Sequence, residues 1–301
     1  MPRTPKKSKP KKKQAKKKQA KKKPEKREPT YHPKNSLNEL KGDRWIWFTK
    51  THETTNYPLE YGHKLRKTHG ANKPPRLMQE QIEYFTKRDG VVLDPFAGVG
   101  GTLIGASIAD PPRKAIGIEI NQEWIDIYDQ VCDEHDLVKQ EMLRGDCLKV
   151  MRDEIEEESI DFIGTDPPYN IHVDQTMCDG KYGWSNRASD YNMRSDEEHD
   201  FANLPDYAAY LDAMELCCKE CFRVLKKGGW MTIILRNAYQ GGRYYLTNAF
   251  VAERAEKAGL VLKGEKIWVQ GGAPLRPYGY PFSFVPNIVH QFILILQKPK
   301  K

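Results

Sequence analysis

The chain lacks any apolar run approaching the roughly 18–20 residues of a membrane span. Its charged N-terminus is not followed by an apolar segment, so a secretory signal is not expected. Six cysteines are present, and only Cys217, Cys218 and Cys221 cluster. No second pair and no histidine stands at finger-like distance from them. They read as small apolar filler on a helix in a reducing compartment, and no metal site is expected. No Gly-Lys-Ser/Thr follows any glycine-rich turn, which excludes a phosphate-loop nucleotidase. The body also lacks a basic excess. Residues 1–28 hold 15 of the 49 Lys/Arg and 2 of the 41 Asp/Glu, which leaves 34 bases against 39 acids in the rest. A polyanion-binding face on the body must therefore be a local patch.

What is present divides into a tail, an extension and one large domain. Residues 1–30 are a lysine-rich tract with too little apolar content to form a core, expected to be disordered by self-repulsion. They read either as a sequence-blind phosphate tether or as a solubilising or localising tail. Residues 31–72 read as an irregular, aromatic extension, with Trp45-Ile46-Trp47-Phe48 as a strand or an anchor. His63 and His69 lie among Lys64, Arg66 and Lys67, as expected of a solvated loop.

From residue 73 onward strands and helices alternate, which predicts a mostly parallel sheet with right-handed crossovers. Met78, Ile82 and Phe85 share one helical face. Val91-Val92-Leu93 is a strand, and Asp94-Pro95-Phe96-Ala97-Gly98-Val99-Gly100-Gly101-Thr102 follows it as a glycine turn into a helix. Such a turn lets backbone approach a nucleotide-like ligand closely. A carboxylate at Asp94 suits a cationic group, such as an amino-acid moiety, better than a phosphate. Lys114–Ile120 is a second strand. Glu119 stands where an acid suits ribose hydroxyls, or else is a surface residue at a strand end. Asp146 follows a third strand, as an acceptor for an amino group or as a turn residue. Pro205–Lys227 is a long helix, Trp230–Leu235 a fifth strand, and Lys266–Val269 with Ile288–Leu296 an antiparallel edge. Residues 271–284, rich in glycine, proline and aromatics, read equally as a base-stacking loop or as a stiff cover over the sheet edge.

The central stretch is Ser159–Asn170. The apolar run Ile160, Phe162 and Ile163 predicts a buried strand, stopped by Asp166-Pro167-Pro168-Tyr169. Two prolines forbid helix and hold an extended loop. An exocyclic amino group on a nucleobase is a poor nucleophile, because its lone pair is delocalised into the ring. Two acceptors on its hydrogens localise that pair. Asp166 can be one, a carbonyl of Pro167 or Pro168 the other, and Tyr169 offers a stacking face worth about 1–3 kcal/mol.

With the Asp94–Gly101 turn, Asp166-Pro167-Pro168-Tyr169 and Arg223-Val224-Leu225-Lys226-Lys227-Gly228-Gly229 together, residues 70–297 resemble the amino-group DNA methyltransferases. These make N6-methyladenine or N4-methylcytosine, as in restriction–modification systems. The resemblance implies a class I S-adenosylmethionine-dependent methyltransferase fold, Rossmann-like. Its sheet would have seven mostly parallel strands with an antiparallel final strand, spanning residues 73–301, and residues 171–205 would form a mobile substrate-recognition loop. It implies S-adenosyl-L-methionine as cofactor. Asp94, Pro95, Phe96, Gly98 and Gly100 would form the methionine-end turn, Glu119 would bind the ribose and Asp146 the adenine side. Lys73 would lie near the methionine carboxylate, and Asp166 beside the cofactor. The catalytic set would be Asp166, Pro167, Pro168 and Tyr169.

Two departures from the family pattern stand out. Gly101 replaces the usual threonine of the turn, with Thr102 one place later, and no separate target-recognition domain is visible. Aspartate rather than serine before Pro-Pro-Tyr favours adenine-N6 methylation. Cytosine-N4 methylation is the alternative, and a non-catalytic DNA-binding protein with the same fold the second. The implied partner is double-stranded DNA with a flipped target base. No membrane partner is expected, and a homodimer stays open. The implied location is cytoplasmic and nucleoid-associated, in a bacterium or encoded by a phage.

Overall fold

The computed structural model describes residues 30–70, 72–168 and 200–301. The tail to residue 29 and residues 169–199, with Tyr169 and most of the expected recognition loop, lie outside the described residues. The chain runs α1 (Gly42–Phe48), β1 (His52–Thr55), α2 (His63–Arg66), α3 (Pro75–Phe85), β2 (Val91–Asp94) and α4 (Gly101–Ser107). It continues through β3 (Lys114–Glu119), α5 (Gln122–Glu134), β4 (Glu141–Arg144), α6 (Cys147–Glu154) and β5 (Ile160–Thr165). The C-terminal part holds α7 (Tyr207–Val224), β6 (Leu225–Leu235), the small hairpin β7 (Ala238–Gln240) and β8 (Arg243–Tyr245), α8 (Thr247–Lys257), β9 (Val261–Gln270) and β10 (His290–Gln297).

The sheet order is β1-β9-β10-β6-β5-β2-β3-β4. From β2 the chain steps outward to β3 and β4, then returns to lay β5 on the other flank of β2. The order reverses between β2 and β5, so the loops leaving these two strands open into one crevice. Parallel strands buried on both faces need apolar runs rather than alternation. Val92, Leu93, Phe162 and Ile163 are all fully buried. One face packs α3, α4 and α5 through Met78, Ile82, Leu103, Ile104 and Tyr128. The other packs α6, α7 and α8 through Met151, Tyr210, Met214 and Val251. Cys217, Cys218 and Cys221 are buried on α7 within that second layer, as filler.

Three expectations are corrected. Among the described residues the sheet has eight strands rather than seven. The extra one, β1, comes from the segment expected to be irregular. It pairs in parallel with β9, His52 opposite Ile267, and Trp268 Nε1 donates to Thr55 Oγ1 at 2.7 Å. Trp45–Phe48 is helical and acts as an anchor, Phe48 stacking on Tyr84 at 4.0 Å between centroids. The fifth parallel strand begins at Leu225, before Gly228-Gly229, because a register shift opposite β5 absorbs the glycines.

Candidate active site

Two threonines tie the carboxyl ends of β2 and β5 together through Asp94. Asp94 Oδ1 accepts from Phe96 N at 3.0 Å and Thr165 Oγ1 at 2.7 Å, and Oδ2 accepts from Thr102 Oγ1 at 2.5 Å. Burial pushes its carboxyl up to about 6 against the lowering pull of these donors, with the charge of nearby Asp166 raising it further. Asp94 thus braces the turn, with three of its about four acceptor sites used. Thr102 makes the bond to Asp94 from the first turn of α4.

The turn itself requires glycine. Gly98 has φ +50° and Gly100 φ +75°, and a Cβ on Gly100 would stand 2.1 Å from Tyr128 Cδ2. Glu119, at the end of β3, reaches across it. Its Oε2 accepts from Gly98 N and its Oε1 from Asn121 N, both at 2.8 Å. A carboxylate has about four acceptor sites, so these bonds leave capacity for a further hydroxyl. Burial pushes Glu119 up to about 7, opposed by the Asn121 and Gly98 amides. Asp146 caps α6, its Oδ1 accepting from Leu148 N at 2.9 Å. Phe96 lies edge-on to Phe201, with centroids 4.9 Å apart.

Asp166 follows Thr165 directly, and Lys73 Nζ lies 2.7 Å from its Oδ2 with both side chains nearly buried, 11% and 13% exposed. Lys73 Nζ also donates to Gln291 Oε1 on β10 at 2.7 Å. Pro167 is buried and Pro168 half-buried. The structure therefore brings together Lys73, Asp94, Pro95, Phe96, Gly98, Gly100, Glu119, Asp166, Pro167 and Pro168 along one edge of the sheet, with Asp146 one strand further out beyond β3.

Two residues at this edge were read from sequence as loop. Arg66 is 1% exposed, donating from Nε to Val99 O at 3.3 Å and from Nη2 to Lys73 O at 2.7 Å. It joins the glycine turn to the Lys73 segment, and burial lowers it to about 10. His69 lies edge-on to Trp124 at 4.8 Å, with Nε2 3.3 Å from where a Gly98 Cβ would stand. Its Nδ1 is buried without a hydrogen-bond partner among the described residues. Burial, helped by the Arg66 and Lys73 charges, lowers it to about 4, so the ring is neutral at pH 7. No local pattern marks either residue, since both acquire their surroundings from the glycine turn, the Lys73 segment and α5.

A reversed parallel sheet with an antiparallel final hairpin, a glycine turn and an acid at the next strand end defines the class I methyltransferase fold. The family model of N6/N4 methyltransferases, described as DNA methylase, matches residues 3–130 and 160–301, and the chain belongs to that family. Among curated proteins it is 33% identical over 106 residues to a tRNA (guanine(10)-N2)-dimethyltransferase of Methanocaldococcus jannaschii, covering 32% of this chain and 28% of that protein. It is 36% identical over 97 residues to the type II methyltransferase M.HinfI of Haemophilus influenzae, covering 32% and 26%. The chain thus spans under a third of the length of these relatives. Among solved structures it is similar to TrmN from Thermus thermophilus, at 17% identity and TM-score 0.42, covering 79% of this chain and 48% of that one.

Proposed function

We propose that the protein is a DNA adenine-N6 methyltransferase using S-adenosyl-L-methionine. The observation that carries this reading is the placement of Asp166-Pro167-Pro168 at the switch point, beside the glycine turn spanned by Glu119. The edge fits the cofactor. Glu119 keeps acceptor capacity for a ribose hydroxyl, the turn presents backbone without side chains at Gly98 and Gly100, and Lys73 and Arg66 supply positive charge near the methionine end.

When bound, the cofactor supplies an electrophilic methyl carbon on a sulfonium. The protein's part is alignment and electrostatics. The Asp166 carboxylate accepts one amino hydrogen of an extruded adenine, and the Pro167 carbonyl accepts the other. Together they localise the nitrogen lone pair toward the methionine end of the turn. Lys73, tethered by Gln291, holds Asp166 in place. Tyr169 provides the stacking face, and the lysine-rich tail engages phosphates without regard to sequence. Extrusion costs a few kcal/mol, and stacking offsets part of it.

The test is expression in a host free of DNA methylation, followed by base-resolved mapping of modified DNA and of RNA. N6-methyladenine at a fixed DNA motif is the expected result. N4-methylcytosine would reassign the target base. Methylated guanine in tRNA with unmodified DNA would sink the reading.

Glu119 sets a pH signature with two opposite signs. Its folded-state value of about 7 lies above the ordinary 4.5. Its contribution to the stability of the ligand-free protein is full below about 4.5 and is lost as pH rises through about 7. Cofactor binding requires the ionised form, so affinity for S-adenosylhomocysteine rises over that upper range. Calorimetric titration across pH should show the rise, and Glu119→Gln should bind weakly with a flat profile.

A further inference from the structure

The loop between β9 and β10 carries side chains that neither the cofactor edge nor the core uses. Leu275, Tyr280, Phe282 and Phe284 are 74%, 75%, 94% and 84% exposed, and Tyr278 joins them at 39%. A cluster of exposed rings of this kind marks a binding surface.

The loop is built to present them. Arg276 N donates to Asn287 Oδ1 at 2.7 Å and Asn287 Nδ2 donates to Arg276 O at 2.9 Å, which closes its base. Phe282 N and Ser283 N both donate to Gly279 O at 2.7 Å, which forms its tip. Residues 271–289 contain no acidic residue, and Arg276 is their one charge, so nothing in the loop repels phosphate.

Its position is set by the sheet. Val269 pairs with His290, and Phe292 pairs with Leu235 at the carboxyl end of β6. The loop therefore leaves from the edge that carries Asp166. Gln291, just beyond its end, accepts from the lysine that grips Asp166.

We propose that the 275–284 loop is a stacking wedge for duplex DNA, entering beside the target base and filling the gap left when that base is extruded. This rests on the DNA reading of the Asp166 site. Extrusion leaves two neighbouring base pairs without a stacking partner, and apolar rings inserted between base steps are the means by which proteins fill such gaps. Rings held outward on a loop that returns to the sheet at His290 and Gln291, beside the lysine paired with Asp166, are placed for that gap.

The test uses the full chain and a labelled DNA duplex of random sequence, either fully paired or carrying one abasic site. The wild type should bind the abasic duplex about tenfold more tightly, the scale of one ring–base stack. Phe282→Ala/Phe284→Ala should lose that preference while keeping S-adenosylhomocysteine affinity and thermal stability, and Phe282→Trp/Phe284→Trp should retain it. A double-alanine variant that keeps the preference overturns the wedge. So does a wild type without one, a patch that serves only self-association in sedimentation, or binding confined to single-stranded RNA. Methyl transfer by the same preparations is followed on genomic DNA from a host free of DNA methylation, which contains every short motif. Transfer without abasic preference removes the wedge and leaves the enzyme reading standing. Preference without transfer keeps the wedge and removes that reading.

Discussion

Asp166→Ala is expected to lower methyl transfer by about 10²–10⁴-fold, the range for removing a group that positions or takes up charge at a reacting nitrogen, while S-adenosylhomocysteine binding changes little. The geometry makes a further demand. Lys73 faces Asp166 at 2.7 Å in a nearly closed site. Removing the carboxylate takes the opposite charge from an ammonium that also donates to Gln291. Breaking a buried pair from one side costs about 3–5 kcal/mol, and slight exposure puts this pair toward the lower figure. Asp166→Ala should therefore also lower the melting temperature. Lys73→Met added to Asp166→Ala should recover stability without recovering turnover. That separation distinguishes a catalytic carboxylate from a merely structural one. Asp166→Asn keeps an acceptor oxygen and should fall between wild type and alanine in rate. Tritium transfer from labelled cofactor, alongside thermal melts of the same variants, reads both effects. Wild-type turnover in Asp166→Ala would end the assignment.

How far this site was legible in sequence depends on how local its causes are. The strand ending in Asp166 is a run of β-prone residues cut by two prolines, and both signals lie within ten residues. The adjacency of β2 and β5 follows from the general reversal of order in such sheets. Other features depended on contacts made at long range. β1 is a half-polar four-residue strand whose partner lies more than 200 residues on, so nothing in His52-Glu53-Thr54-Thr55 announces it. Asp94 reads from sequence as a ligand of the turn, and its tie to Thr165, 71 residues away, comes only with the pairing of β2 and β5. Arg66 and His69 looked solvated because charge usually is. Their burial comes from the turn and from α5 folding over them. The family motifs survive in sequence because backbone constraints, carried by glycine and proline, are written locally. Roles of side chains that act across the sheet are not.

Gly100→Ala tests the most constrained of those backbone positions. The residue sits at φ +75°, and a left-handed conformation costs a non-glycine residue about 1–2 kcal/mol. The added Cβ would also meet Tyr128 Cδ2 at 2.1 Å. That ring cannot step aside cheaply: Tyr128 is fully buried, and its hydroxyl accepts from Gln140 N at 2.8 Å. Overpacking a filled core adds about 1–3 kcal/mol or more, so the total should approach 3–5 kcal/mol, a large share of a typical domain's 5–15. Gly98→Ala provides the control. Its φ is +50°, and its Cβ would meet the His69 ring at 3.3 Å from Nε2 and 3.4 Å from Cε1, so the conformational cost should apply with a smaller packing cost than at Gly100. The expected order of melting temperatures is wild type, then Gly98→Ala, then Gly100→Ala, with cofactor affinity falling in both variants. Equal melting temperatures for the two would mean that Tyr128 does not form the floor of the turn. In that case the close approach of backbone to cofactor would have to arise from the φ values alone.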